Sequence, residues 1–151
     1  MQKITTFLWF DDQAEEAAKF YCSLFENSKI TSTSRYGDGM PGKAGSVMSV
    51  TFELEGQTFF ALNGGPHYQF TPAISLFVSC EDQAEIDALW SKLSAEPKAE
   101  QCGWLQDRFG LSWQIIPREM SELMNNPAAM RELLTMKKLD IARLKQSALA
   151  G

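Results

Sequence analysis

The chain has 151 residues, is 44% apolar, and carries 14 basic against 19 acidic residues for a net charge of -5. That length suits one compact domain with a real core, and the acidic balance gives no general attraction to phosphate backbones or anionic lipid, so neither nucleic acid nor membrane is expected as a partner. No stretch approaches the roughly 20 apolar residues of a membrane helix, and three cysteines without a Cys-x-x-Cys pair read as reduced thiols of a cytoplasmic protein.

Ile4 to Phe10 is rich in β-branched and aromatic residues and predicts a strand. Alternation separates Ile4, Thr6, Leu8 and Phe10 from Thr5, Phe7 and Trp9; both sets are substantially apolar, which predicts a central strand. Asp11 or Asp12 can cap the next segment, with Glu15 and Glu16 near its positive end. There Ala14, Ala17, Ala18, Tyr21, Leu24 and Phe25 recur at helical spacing, as for a helix packed on a sheet. Lys29 to Tyr36 is a Thr/Ser-rich, edge-like strand. Ser46 to Glu55 alternates Met48, Val50, Phe52 and Leu54 against Val47, Ser49, Thr51 and Glu53, and Glu55-Gly56 turns the chain into Gln57 to Asn63.

Gly37-Asp38-Gly39-Met40-Pro41-Gly42 formally satisfies G-x-G-x-x-G. A dinucleotide site needs a strand before that motif and a helix after it, whereas here a Pro-bearing loop leads into another strand. The segment reads as a hairpin loop.

Beyond Asn63-Gly64-Gly65-Pro66, Ala73 to Cys80 predicts a strand, Asp82 caps a helix whose buried face carries Ile86, Leu89, Trp90 and Leu93, and Ala95 to Gln101 can supply only a short strand. Gly103 to Asp107 and Leu111 to Ile116 flank an Asp107-Arg108-Phe109-Gly110 turn as a hairpin. After Pro117 the pattern is helical. Asn126 caps a helix with Pro127 at its first position, and Met130, Leu133, Leu134, Ile141 and Leu144 form a stripe expected to pack on the body.

Two of these segments repeat. Asp12-Gln13-Ala14-Glu15 and Asp82-Gln83-Ala84-Glu85 are identical and seventy positions apart, and at that offset Phe7 meets Phe77, Thr5 meets Ser75 and Ala18 meets Ala88. Gly56-Gln57-Thr58-Phe59-Phe60 similarly matches Gly110-Leu111-Ser112-Trp113-Gln114 at an offset of fifty-four, so the second copy is sixteen residues shorter after its helix. The fold class predicted is α+β: tandem βαβββ modules forming curled mixed sheets, module one over about 1–65, module two over about 72–118, and a helical tail over about 119–151, all in a single domain.

Phe60-Ala61-Leu62-Asn63-Gly64-Gly65-Pro66, Ser75-Leu76-Phe77-Val78-Ser79-Cys80, the run from Gly103 to Pro117 and Met136-Lys137-Lys138-Leu139-Asp140-Ile141 together resemble one family. It is the PhnB-like branch, also called demethylubiquinone methyltransferase-like, of the vicinal oxygen chelate superfamily with its glyoxalase/bleomycin resistance fold. That superfamily includes glyoxalases, extradiol dioxygenases and bleomycin-sequestering proteins, so the resemblance implies a fold more narrowly than a chemistry. It also implies a homodimer.

Enzymes of the superfamily hold a divalent metal with His and Glu on particular strands. By the resemblance those places fall near Thr5 or Thr6, Phe60, Ser75 and Gln114, none of which is a usual first-row ligand, and the one histidine, His67, lies on the linker. No metal and no cofactor are expected. The Gly-rich turn of a doubly wound adenosyl-methionine enzyme is likewise missing from this pattern.

The expected ligand-binding residues are Thr5, Phe7, Trp9, Phe60, Leu62, Ser75, Phe77, Trp104 and Gln114, an aromatic surface with a few hydroxyls and one amide. Core filling is the competing role for Phe7 and Phe77. No catalytic residue is assigned: His67 as a base, or Cys80 or Cys102 as a nucleophile, each needs a neighbour that spacing does not supply. The leading function is binding of a small, partly apolar organic molecule without a transition metal. Alternatives are a metal-assisted lyase, isomerase or transferase of the glyoxalase kind, and a scaffold whose helical tail carries a protein contact.

Overall fold

The computed structural model describes residues 2–151. The chain divides into two compact units, Met1–Gln69 and Phe70–Gly151.

In the first unit, β1 (Thr6–Phe10), α1 (Ala14–Leu24), β2 (Lys29–Arg35), β3 (Val47–Leu54) and β4 (Gln57–Asn63) follow the predicted order. The sheet order is β1-β4-β3-β2, with β1 parallel to β4 and the other pairs antiparallel. Alternation puts Leu8, Val50, Phe52, Leu54, Phe59 and Ala61 on one face, where Ala14, Ala17, Ala18 and Tyr21 of α1 bury them. Small residues on α1 bring its axis close, and Tyr21, Phe52 and Phe59 fill the remaining depth, Phe52 and Phe59 stacked at 5.5 Å. Each fully buried aromatic ring contributes about 2–3 kcal/mol by area alone.

Two expectations change here. The first strand pairs only with β4 and so is an edge of this sheet. Its double apolar character has a different origin: Leu8 and Phe10 belong to the core, while Phe7 and Trp9 lie on the face opposite α1. Nor do Asp11 and Asp12 cap α1. Gln13 occupies the cap position without a side-chain bond, and the Asn63 Oδ1 from the end of β4 accepts the Ala14 N–H at 2.8 Å instead. The Glu55-Gly56 turn holds, with φ of 50° and 79°, both left-handed as a tight hairpin turn requires.

The second unit runs β5 (Ser75–Cys80), α2 (Gln83–Leu93), β6 (Trp104–Gln106), β7 (Ser112–Pro117), α3 (Met120–Leu123), α4 (Pro127–Leu133) and α5 (Ile141–Ala150). Its sheet order is β5-β7-β6, with β5 parallel and β6 antiparallel to β7. Cys80, Leu105, Trp113 and Ile115 are buried with Ile86, Leu89 and Leu93 of α2, which Asp82 caps by accepting the Glu85 N–H at 2.9 Å. The short strand expected over Ala95 to Gln101 is absent. Pro97–Ala99 forms a single 3₁₀ turn, and only Gln101 bridges to Trp104, because too few residues remain after α2 to run another strand across the sheet.

The tail is a buried layer of its own. Ile116, Met120, Leu123, Met136, Leu139 and Leu144 make one apolar cluster. The stripe expected to run continuously from Met130 to Leu144 is broken between α4 and α5, and Leu134 is exposed. The break has a use: the Met136 and Lys137 carbonyls, released from helix, accept the Cys102 and Gly103 N–H groups at 2.8 Å each. Cys102 and Gly103 are both left-handed, and a Cβ on Gly103 would come within 2.8 Å of Ile116.

Candidate functional site

The face of each sheet opposite its long helix carries the predicted residues. In the first unit, strand register sets Phe7 beside Phe60 and Trp9 beside Leu62, and β3 continues those rows with Thr51 and Ser49. Thr5 lies just before β1 and is half-buried. Phe7 is 56% and Phe60 37% exposed, with their rings edge-to-face at 6.3 Å. Neither therefore fills a core. Ser34 and Ser49 share a hydrogen bond at 2.6 Å, so hydroxyls border the aromatic pair on the β2 side. The alternation of Ser49 and Thr51 was visible in the sequence, but only the pairing of β3 with β4 places them next to Phe60 and Leu62.

Trp9 is held by the chain that follows β4. Its indole N–H donates to the Gly65 carbonyl at 2.9 Å, Tyr68 packs edge-on at 4.9 Å, and Gly64 lies so close that a Cβ there would come 2.2 Å from the ring. Here glycine is required by a close approach rather than by a turn. His67, 6.4 Å from the Trp9 ring, helps line a cavity of about 570 Å³ with Asp11, Asp12, Glu15, Tyr36 and Lys43. None of the expected ligand-binding residues lines that cavity.

In the second unit, Phe77, Gln114 and Trp104 form a row across β5, β7 and β6. Phe77 is 57% exposed, and Gln114, Trp104 and Ser75 are half-buried. The Gln114 Nε2 donates to the Ser75 Oγ at 3.0 Å, which ties the amide to β5. Ile116, also on the Gln114 side by alternation, is buried in the tail cluster and unavailable. Beside Trp104 opens a cavity of about 410 Å³ lined also by Pro72, Ala99, Gln101 and Cys102, residues the periodicity gave no reason to select.

The metal positions implied by the resemblance have no fit to a transition metal. Phe60 packs on Phe7, Ser75 is bonded to the Gln114 amide, and Thr5 and Thr6 add only hydroxyls. Among the described residues no group of three or more His, Cys, Asp or Glu side chains is arranged to hold a metal ion.

Asp107 opens the predicted turn but is not on its surface. It is 3% exposed: Oδ1 accepts the Phe109 and Leu111 N–H groups, and Oδ2 accepts the Trp113 indole N–H at 2.9 Å. It is a structural carboxylate. Arg108 is exposed and lies over the Phe109 ring, 4.8 Å from its centroid. Of the thiols, Cys80 is fully buried; burial, with the Glu85 carboxylate next, pushes it up to about 12. Burial also raises Cys22, and Cys102 is half-buried rather than part of the core.

With that geometry in hand, comparison with known proteins decides the family. The family described as 3-demethylubiquinone-9 3-methyltransferase matches residues 2–116. The chain belongs to this family. It is 44% identical to a putative 3-demethylubiquinone-9 3-methyltransferase, PhnB protein, from Bacillus cereus, covering 77% of this chain and 99% of that one, with a TM-score of 0.67. Protein PA1353 from Pseudomonas aeruginosa, 19% identical over 78% of this chain and 98% of its own, shares the fold with a TM-score of 0.59. A glyoxylase/bleomycin resistance protein/dioxygenase domain from Frankia sp. EAN1pec is 15% identical over 79% of this chain and 94% of its own, with a TM-score of 0.49. No curated protein matches the chain. The PhnB-like resemblance seen in the sequence is thus the family assignment, and the match ends where the helical tail begins.

Proposed function

We propose that this PhnB-like protein binds a small, partly apolar organic molecule on the sheet faces opposite α1 and α2, without a catalytic transition metal. The observation that carries the reading is the exposure of Phe7, Phe60 and Phe77 on those faces. Large aromatic rings left open beside ordered hydroxyls and an amide are the make-up of a recognition surface. Hydroxyl, aromatic and amide groups stand where the superfamily's enzymes place metal ligands, which favours binding over metal-assisted chemistry. A homodimer and a reducing compartment belong to the same proposal, the second supported by three unpaired thiols.

The test is a thermal-shift screen of small aromatic and heteroaromatic compounds with elemental analysis of the purified protein. A ligand that binds only the native state raises the unfolding midpoint. Midpoint increases that disappear in Phe7→Ser and Phe77→Ser together support the proposal. Stoichiometric zinc, nickel, manganese or iron would favour the metal-assisted alternative, and a flat screen would favour the scaffold.

A further inference from the structure

We infer that the second unit's face selects a planar bicyclic ring carrying a lactam-type N–H, with that N–H directed at the Gln114 Oε1. The inference rests on the binding function proposed above and names the ligand class for one of its faces.

Three observations combine. Phe77, Gln114 and Trp104 are consecutive members of one row across three strands, so Gln114 has an aromatic residue on each neighbouring strand, about 5 Å away. The amide is tethered, with Nε2 donating to the Ser75 Oγ at 3.0 Å. That bond leaves Oε1 with no hydrogen-bond partner among the described residues, while the side chain is only half-buried. A tethered acceptor of this kind selects a donor: a ligand covering it without one strips its water and returns no bond. The flanking rings select the shape, since planar π systems pack on Phe and Trp in offset or edge-on geometry.

Trp104 also lines a cavity of about 410 Å³ with Pro72, Ala99, Gln101 and Cys102. The first unit lacks this selectivity. At the corresponding place Phe60 stands where Gln114 does, so its row pairs two aromatic rings and offers no amide.

The experiment compares carbostyril, a bicyclic lactam with a free N–H, with N-methylcarbostyril, which keeps the ring and carbonyl and lacks the donor. Binding to the full chain is read by titration calorimetry and by the thermal midpoint. Carbostyril is expected to bind about tenfold more tightly, the equivalent of one hydrogen bond to a group that otherwise loses its solvation. In Gln114→Leu the two compounds should bind equally, and in Phe77→Ser and Trp104→Ala both should weaken. Equal affinity of the two compounds for the unaltered protein overturns the inference and needs no variant to fold. Failure of both to bind, with other compounds still raising the midpoint, overturns the inference alone; a flat response to every compound overturns the binding function as well.

Discussion

The Trp113 indole N–H donates to the Asp107 carboxylate at 2.9 Å, joining the start of the β6–β7 turn to the buried second residue of β7. The other carboxylate oxygen holds the Phe109 and Leu111 amides at 2.8 and 3.1 Å. One side chain therefore shapes the turn and sets the strand that carries Gln114. Asp107→Ala leaves a buried indole donor and the turn amides without their acceptor and should cost about 3 kcal/mol or more. Asp107→Asn keeps one oxygen for the amides but can set a donor against the indole, and should fall between. Urea unfolding midpoints check both, and a loss under about 1 kcal/mol for the alanine variant would show that water takes over the carboxylate's place.

Asn63 does for α1 what Asp12 was expected to do. Its Oδ1 caps Ala14, and its Nδ2 donates to the Val47 carbonyl at 3.1 Å, tying the ends of β4, β3 and α1 together. Asn63→Ala should cost about 1–2 kcal/mol, while Asp12→Ala should change stability by less than about 0.5 kcal/mol. Denaturant titration of the two variants separates them, and the reverse ranking would return the cap to Asp12.

Exposure separates the roles of the phenylalanines. Phe7→Ser and Phe77→Ser remove rings that are more than half exposed, so each should shift stability by no more than about 1 kcal/mol. Phe52→Ala opens a hole in a fully buried site and should cost about 3–5 kcal/mol. The first two should instead abolish the response to compounds that bind the sheet faces. A large stability loss in Phe7→Ser, measured by calorimetric unfolding, would assign that ring to packing.

The Cys80 thiol is raised to about 12 by burial and by Glu85, so its neutral form is the one the fold favours. Its stabilising contribution is complete below the ordinary thiol value near 9 and declines as pH climbs from there toward 12, because the unfolded chain ionises first. Stability should fall over that interval, and less so in Cys80→Ala. Alkylation of the native protein at pH 8 followed by peptide mapping should find Cys102 modified well before Cys80; early labelling of Cys80 would show that the β5–α2 packing opens readily.

Much of the fold was legible because it is written in local pattern. Period-two alternation marked β3 and β4, small residues at helical spacing marked α1, and Asp82 and Asn126 both cap helices as their positions suggested. The site was legible to the extent that alternation could sort Phe7 and Trp9 from Leu8 and Phe10. It could not tell that Phe7 is open to solvent, since an aromatic residue satisfies the same alternation whether or not another layer covers it.

The amino-acid order alone determined the repeated strand–helix pattern and the family, both properties of residue type and spacing. Tertiary structure decided that β1 is a sheet edge, that Asn63 rather than an aspartate caps α1, that Asp107 is buried, and that Gln114 stands between Phe77 and Trp104. Those four depend on which strand lies beside which and on what the turns bring back over them. Pairings between distant residues leave no periodic trace in the chain, and hydrogen bonds formed across them appear only once the backbone has closed.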